Sequence, residues 1–465
     1  MMEVHDFTFL FGVGLFFAFM DAYGIGANDV ANSFATSVGS GSITLAQALI
    51  IACFCEFGGA FLLGAETIKG GIVETSLYKA QPEILMLTMV CALIGSSTWV
   101  LFATSRGWPV STTHAIVGAI CGAGISAFGS DGIQWSGITK IVLSWVVSPV
   151  CAGIVCALIF GATQLLVLRH ENSFQRGLIA IPAYFGIALT VNVFYIIFKG
   201  APDSSLKSDS NIGIAVGIAL GVGLAVFLWC FFFLRPFLRR KIQDQEDLRW
   251  FHLFYIPFVS PREKVSASLE EKGGVKGVEG EVDADGKADP SLDTERLFSA
   301  VQVITACFTS FAHGSNDVAN AIGPLATIYY IWEHANIDVK KAPVPVWILA
   351  FGGVAIDLGL MTYGYHVMRT LGNKMTYMSP TRGFSAEMGT SITILTCSKL
   401  GLPVSSTHCI TGATSAIGLM SGGGFKSLNW RLLLGVFAGW IATLPAAGIV
   451  SGLMFAFVSR SPMLA

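Results

Sequence analysis

Apolar residues dominate this chain in long blocks, and about 20 of them suffice to cross a bilayer's hydrocarbon core. Such blocks lie near 7–26, 43–64, 84–104, 138–168, 178–198, 211–234, 298–312, 345–368, 384–400 and 431–458. Two further segments, 109–128 and 403–421, mix their apolar residues with Gly, Ser and Thr. That mixture predicts short or re-entrant elements enclosed by protein, because irregular backbone at membrane depth survives only there or along a wet cavity. The pattern therefore predicts an all-α polytopic membrane protein with ten to twelve spans and two broken elements.

One long polar stretch, 235–297, interrupts the pattern. It opens on Arg235, Arg239, Arg240 and Lys241 directly after an apolar run, which assigns it to the cytoplasmic side under the positive-inside rule. From Ser266 to Glu295 it is Gly-rich and acidic with few large apolar residues, a composition that predicts disorder. The aromatic cluster Trp250-Phe251-His252-Leu253-Phe254-Tyr255 predicts a helix lying at the membrane interface. The stretch divides the chain into an N-terminal membrane half, 1–234, and a C-terminal half, 298–465.

Composition agrees. The chain has 465 residues, 53% of them apolar and 12% charged, with mean hydropathy +0.66. Soluble domains carry roughly a quarter charged residues, so a cytosolic enzyme and a disordered scaffold are both excluded. Lys+Arg number 28 against 30 Asp+Glu, a net charge of −2, which gives no reason to expect nucleic acid as a partner. The ten cysteines sit in or beside apolar stretches without a CxxC pair and read as small buried hydrophobes. No cleavable signal peptide is expected, since Glu3 and Asp6 stand where a basic region would be.

The two halves repeat one another. Gly26-Ala27-Asn28-Asp29-Val30-Ala31-Asn32 answers Gly314-Ser315-Asn316-Asp317-Val318-Ala319-Asn320, and Pro109-Val110-Ser111-Thr112-Thr113-His114 answers Pro403-Val404-Ser405-Ser406-Thr407-His408. The run from Ala92 to His114 aligns without gaps on Ala386 to His408. Internal duplication is a feature of secondary transporters, whose sites lie between the repeats near the bilayer midplane. The sequence by itself leaves open whether the repeats are parallel or inverted.

Each motif has a chemistry. Pro followed by three hydroxyl residues is a helix start, and a helix N-terminus offers unpaired N–H groups and a positive dipole end. Two such termini facing each other would surround an oxyanion without requiring Arg or Lys. Ser111, Thr112, Thr113, Ser405, Ser406 and Thr407 are the candidate anion ligands. Asp29 and Asp317, with Asn28, Asn32, Asn316 and Asn320, form hard oxygen sets suited to Na⁺ and not to soft metals. Asn28 and Asn32, four apart, are expected on one helix face. A capping role for these residues is the plainer alternative. Glu56 and Glu387 are further acids at membrane depth, with Asp357 and Glu66 weaker candidates. In the ungapped alignment Glu387 meets Leu93, so the site is not symmetric. Hydrogen phosphate can donate a proton to a carboxylate whereas sulfate at neutral pH cannot, so buried acids favour phosphate. His114 and His408 read as orienting the short helices, with proton coupling the alternative. A channel fits the membrane-depth acids less well than ion-coupled binding does. A membrane enzyme using Ser111 and His114 has no oriented third member in sequence.

On these duplicated motifs the sequence resembles the inorganic phosphate transporter (PiT) family of sodium-coupled phosphate symporters. The likeness spans both membrane halves, including Phe311-Ala312-His313-Gly314 and Ala321-Ile322-Gly323-Pro324-Leu325. It implies about 12 transmembrane helices in two inverted repeats, two re-entrant helical hairpins, extracellular termini and a homodimer. It further implies phosphate ligation by the six hydroxyl residues, sodium sites at Asp29 and Asp317, and a requirement for Glu56 and Glu387 in transport. No organic cofactor is implied, and Na⁺ enters as co-transported ion. Some members use protons, so proton coupling is the alternative. The plasma membrane is the expected location.

Overall fold

Helices form along almost the whole chain. The structure, a computed structural model, describes residues 3–64, 72–199, 212–261, 290–337, 344–371, 375–400, 402 and 404–460. The first half comprises α1 (Thr8–Asp29), α2 (Ala31–Gly39), α3 (Leu45–Leu63), α4 (Pro82–Ser105), α5 (Thr112–Phe128) and α6 (Trp135–Thr163). That half also holds α7 (Ser173–Lys199) and α8 (Ile212–Trp229), and the short α9 (Arg235–Leu238) opens the polar stretch. The second half comprises α10 (Pro290–His334), α11 (Val346–Tyr363), α12 (Tyr365–Leu371), α13 (Pro380–Lys399), α14 (Ser406–Met420) and α15 (Trp430–Arg460). Among the described residues no strand forms, only isolated bridges such as that between Val73 and Ile133.

Ten of the described helical runs are long and apolar enough to cross a membrane. Helix α5, extended by its final turn to Gly132, is one of them, although its Gly, Ser and Thr content suggested a broken element. The run predicted at 384–400 forms α13 but is too polar to count, since Ser385, Glu387, Thr390, Ser391 and Thr393 are all buried in protein. The run predicted at 298–312 continues without a break to His334 as the 45-residue α10. Outward faces carry large apolar side chains such as Phe54, Leu158 and Leu453, as a lipid-facing surface requires. Pro149, Pro182, Pro324 and Pro445 lie inside helices, which membrane packing tolerates because neighbouring groups satisfy the freed carbonyls.

The polar stretch is shorter than its composition suggested. Helix α8 runs on through wider turns to Gln243, and Asp293, Thr294 and Glu295 belong to α10. Disorder up to Glu295 is therefore wrong at its C-terminal edge: the Glu295 carboxylate accepts the Thr381 amide (2.8 Å) and hydroxyl (2.7 Å) at the start of α13. The remainder, Ser266–Asp289, lies outside the described residues. The aromatic cluster forms only a short 3₁₀ turn, Trp250–Phe254, with Trp250 and Phe254 exposed and His252 buried.

The two halves interleave. Helix α1 packs on α11 and α10 on α3, while α5 lies along α15 and α14 along α6. Each contact therefore joins an element of one repeat to an element of the other, and each has a counterpart under exchange of the repeats. Glycines set the spacing. A Cβ at Gly26 would collide with the Ile356 carbonyl, and one at Gly314 with the Glu56 carbonyl. Gly118 lies against Leu444 and Gly412 against Pro149 in the same backbone-to-backbone manner. Small residues at such crossings let membrane helices gain the van der Waals contact that burial from water cannot supply there.

Candidate functional site

The duplicated motifs meet in the middle of this arrangement. Ser111 is the N-cap of α5 and its hydroxyl accepts the His114 amide at 3.2 Å; Ser405 caps α14 and accepts the His408 amide at 3.3 Å. Pro109 was expected in the first turn but lies two residues before the cap, because the Ser111 side chain satisfies the terminus and Val110 donates instead to Asn28 Oδ1 (3.1 Å). Pro403 lies outside the described residues.

The threonine and serine that follow each cap reach the aspartates. Thr112 Oγ1 donates to Asp29 Oδ2 at 2.6 Å, and Ser406 Oγ donates to Asp317 Oδ2 at 2.8 Å. The second asparagine of each motif crosses to the opposite repeat. Asn32 donates to Thr407 (2.9 Å) and Ser406 (3.3 Å), and Asn320 to Thr113 (3.2 Å) and Thr112 (3.3 Å). The helix pairs α4–α5 and α13–α14 each form a helical hairpin, and the connections at their tips tie to each other, Thr407 donating to the Val110 carbonyl (3.2 Å) and Thr113 to that of Val404 (3.5 Å). All six hydroxyl residues, both aspartates and Asn28, Asn32 and Asn316 are buried, Asn320 partly so. The candidate anion and cation residues thus form one interlocked centre.

Asn28 and Asn32 are four apart yet bond to different repeats. The first copy has a turn at Val30, between α1 and α2, whose backbone stays right-handed helical, and Asn28 turns back to Thr104, Trp108 and Val110 of its own repeat. Its twin Asn316, in the unbroken α10, likewise stays within its repeat, donating to Asp317 Oδ1 (2.7 Å) and the Val404 carbonyl (3.1 Å). The first asparagine of each motif therefore fixes its own hairpin and the second holds the other.

The flanking acids break the symmetry. Glu56 reaches the centre through His313, whose Nδ1 lies 2.6 Å from Glu56 Oε2 and whose Nε2 lies 2.8 Å from Asp317 Oδ2 and 4.0 Å from Asp29 Oδ2. Ser310 donates to the other Glu56 oxygen at 2.7 Å. The structural counterpart of Glu56 is Ile356, because Gly26 touches Ile356 where Gly314 touches Glu56. Glu387 sits apart from the hairpin tips. Its Oε1 accepts from Thr36 (2.6 Å), Ser37 (2.7 Å) and Gln302 (3.2 Å), and its Oε2 from Thr305 (2.7 Å).

His313, Gln302, Thr305, Thr36 and Ser37 went unassigned in the sequence. A signal was present: Gln302, Thr305, Thr309, His313, Asn316 and Asn320 recur at steps of three and four along α10, one polar stripe in an apolar helix. Asp357 is only half-buried and bonds to none of the motif side chains, and Glu66 lies outside the described residues. His114 and His408 pack ring against ring, 4.5 Å between centroids, with Trp145 over the first (4.1 Å) and Trp440 over the second (3.7 Å). The Ser111 hydroxyl meets the His114 backbone and not its ring, so the two form no nucleophile–base pair.

A chemical test of the centre is which ions it fits. The nearest ligand atoms of Asp29, His313 and Asp317 fall within 4.8 Å of one another, and Asn32 Oδ1 and Ser33 Oγ are buried without a partner. Oxygen-rich and lacking thiolate, this set suits a hard cation. The helix N-termini beside it suit an anion.

Comparison with known proteins converges on one family. The model of the phosphate transporter family matches residues 25–451. Phosphate-repressible phosphate permease pho-4 of Neurospora crassa is 33% identical, with 99% of each chain aligned. Sodium-dependent phosphate transporter 1 of Rattus norvegicus is 27% identical over 92% of each chain. A solved structure described as the sodium-dependent phosphate transporter superposes with a TM-score of 0.79 at 32% identity, covering 97% of this chain and 99% of that one.

Proposed function

This chain belongs to the phosphate transporter family, and from that premise we propose that it imports inorganic phosphate together with Na⁺ by alternating access. The observation that carries the reading is the interlocking of hairpin hydroxyls with buried aspartates, Thr112 on Asp29 and Ser406 on Asp317. Phosphate arriving between the two helix N-termini would exchange those hydroxyls' partners for its own oxygens. It would also bring negative charge beside two desolvated carboxylates, where unscreened repulsion is worth several kcal/mol at effective dielectrics near 20. Na⁺ bound by Asp29, Asp317 and the amide oxygens of Asn28, Asn32, Asn316 and Asn320 removes that repulsion. Each ion then raises the other's affinity by the same factor. Ser111, Thr112, Thr113, Ser405, Ser406 and Thr407 hold the phosphate in this scheme, and the two hairpins are re-entrant. The proposal includes a homodimer in the plasma membrane.

Uptake of ³²P-phosphate into proteoliposomes tests it, with a gradient of Na⁺, K⁺ or protons as the sole driving force. Uptake is expected with Na⁺ alone. Two Na⁺ with one dihydrogen phosphate would carry one net positive charge, so added phosphate should evoke an inward current; a current indifferent to Na⁺ would refute sodium coupling. Proton coupling is the second reading, favoured by the chain Glu56–His313–Asp317 that leads into the centre. Uptake driven by protons alone would keep the phosphate site and move the coupling onto that chain.

Glu387→Gln isolates charge from hydrogen bonding. Gln keeps an oxygen for Thr36, Ser37 and Gln302, and the Thr305 hydroxyl can turn to accept from its amide. The variant should reach the membrane and slow Na⁺-driven uptake about tenfold, the loss of one charge-assisted contact of roughly 1.4 kcal/mol. Unaltered kinetics would remove Glu387 from the coupling.

A further inference from the structure

Cys55 and Cys307 depart from the expectation that all cysteines are inert core. Cys55 precedes Glu56 on α3, Cys307 lies two residues after Thr305 on α10, these two helices pack along each other, and the two thiols are near enough to influence one another. Both are partly exposed, whereas Cys91, Cys156, Cys230, Cys397 and Cys409 are buried. A disulfide needs Cα atoms about 4.4–6.8 Å apart, closer than helices packed at the usual axis separation of about 8–10 Å ordinarily bring them. Here the two helices come closer than usual, because a Cβ at Gly59 would collide with the Phe311 carbonyl and one at Gly314 with that of Glu56. Cys55 and Gly59 are one turn apart on α3, as are Cys307 and Phe311 on α10, so the thiols lie on the stripes that make this approach. Ala52 and Ala306, both buried, keep the neighbouring turn small.

We propose that Cys55 and Cys307 are a redox modification site, at which a hydroperoxide joins the two thiols into a disulfide that fastens α3 to α10. One thiolate attacks the peroxide oxygen, giving a sulfenic acid and releasing water after protonation. The second thiol then attacks that sulfur, forming the S–S bond and expelling a second water. Two protons and two electrons leave the cysteines, and hydrogen peroxide takes up both pairs. The bond fixes Glu56 on α3 against His313 and Asp317 on α10, across the boundary between the repeats. Its effect on uptake rests on the symporter reading above; the bond itself does not.

The test uses the full chain in proteoliposomes treated with hydrogen peroxide, digested without reductant and analysed by mass spectrometry. A peptide pair joined through Cys55 and Cys307, two hydrogens lighter than its reduced parts, is expected, with loss of uptake that dithiothreitol reverses. Cys55→Ser and Cys307→Ser should each transport normally and keep transporting after peroxide, while Cys53→Ser remains sensitive. Absence of the joined pair at saturating peroxide would overturn the site, and a joined pair with uptake intact would overturn the fastening. If untreated protein takes up no phosphate, the symporter reading fails, and the joined pair still decides the site.

Discussion

Asp317→Asn should lower Na⁺-driven phosphate uptake by about two orders of magnitude in protein that still reaches the membrane. Asp317 accepts Ser406 and Asn316 and stands 2.8 Å from His313 Nε2. Asparagine removes the charge facing the imidazole and sets an NH₂ against at least one existing donor. Leaving buried charged partners uncompensated costs about 3 kcal/mol or more, and each 1.4 kcal/mol is about a factor of ten. Asp29→Asn should act in the same direction more weakly, since His313 is 4.0 Å away from that carboxylate. The measurement is initial uptake against Na⁺ concentration at saturating phosphate, normalised to protein in the membrane. The Na⁺ dependence should suffer far more than the phosphate affinity measured at saturating Na⁺. Equal and modest losses in both would reduce the aspartates to helix caps.

The second large effect concerns assembly. Gly314→Ala should cost enough stability to leave little folded protein, and Gly26→Ala should match it, because each added methyl meets a carbonyl oxygen of the facing helix. Overpacking ordinarily costs about 1–3 kcal/mol, and the obstacle here is backbone, which has no rotamer to change. Gly12 is the control, since a Cβ there meets nothing within 4 Å. Gly12→Ala should melt at or above the parent temperature, as alanine is the better helix former by up to about 1 kcal/mol. Melting in detergent distinguishes the three; a Gly314→Ala protein as stable as the parent would refute the close approach of α3 and α10.

What could be read in the sequence divides along physical lines. The duplicated polar motifs stood out because each polar residue within an apolar block needs a reason. Their convergence was inferable from duplication alone. The partner of each was not: that Asn32 holds Thr407 of the other repeat while Asn28 stays with its own recurs in Asn320 and Asn316 on the unbroken α10, so it depends on which helices lie alongside and not on any local residue. Glu56 and Glu387 were conspicuous as charges, whereas Gln302, Thr305 and His313 were passed over because an amide, a hydroxyl and an imidazole raise less alarm in a membrane helix. Their regular spacing on α10 carried the information that their chemistry did not. The extent of α10 was misjudged for the same reason. A motif rich in Asn, Asp and Gly looks like an end to a span, yet Asn316, Asp317 and Asn320 find their partners on neighbouring elements and on one another without the helix breaking.

Glu56 has Ile356 as its counterpart in the other repeat and Glu387 has Leu93, so the carboxylates packed around α10 are replaced by hydrocarbon in the equivalent places around α1. A perfectly duplicated protein would present the same ladder of sites to both sides of the bilayer and would half-saturate at the same ion concentration on each. Here the helices around α10 carry the carboxylates and those around α1 carry hydrocarbon. Detailed balance forbids this difference from choosing a net direction, which the ion gradients alone decide. It permits the half-saturating concentrations on the two faces to diverge, provided the maximal rates diverge in compensation. These departures from exact duplication are thus where the proposed symporter is free to set its two faces apart.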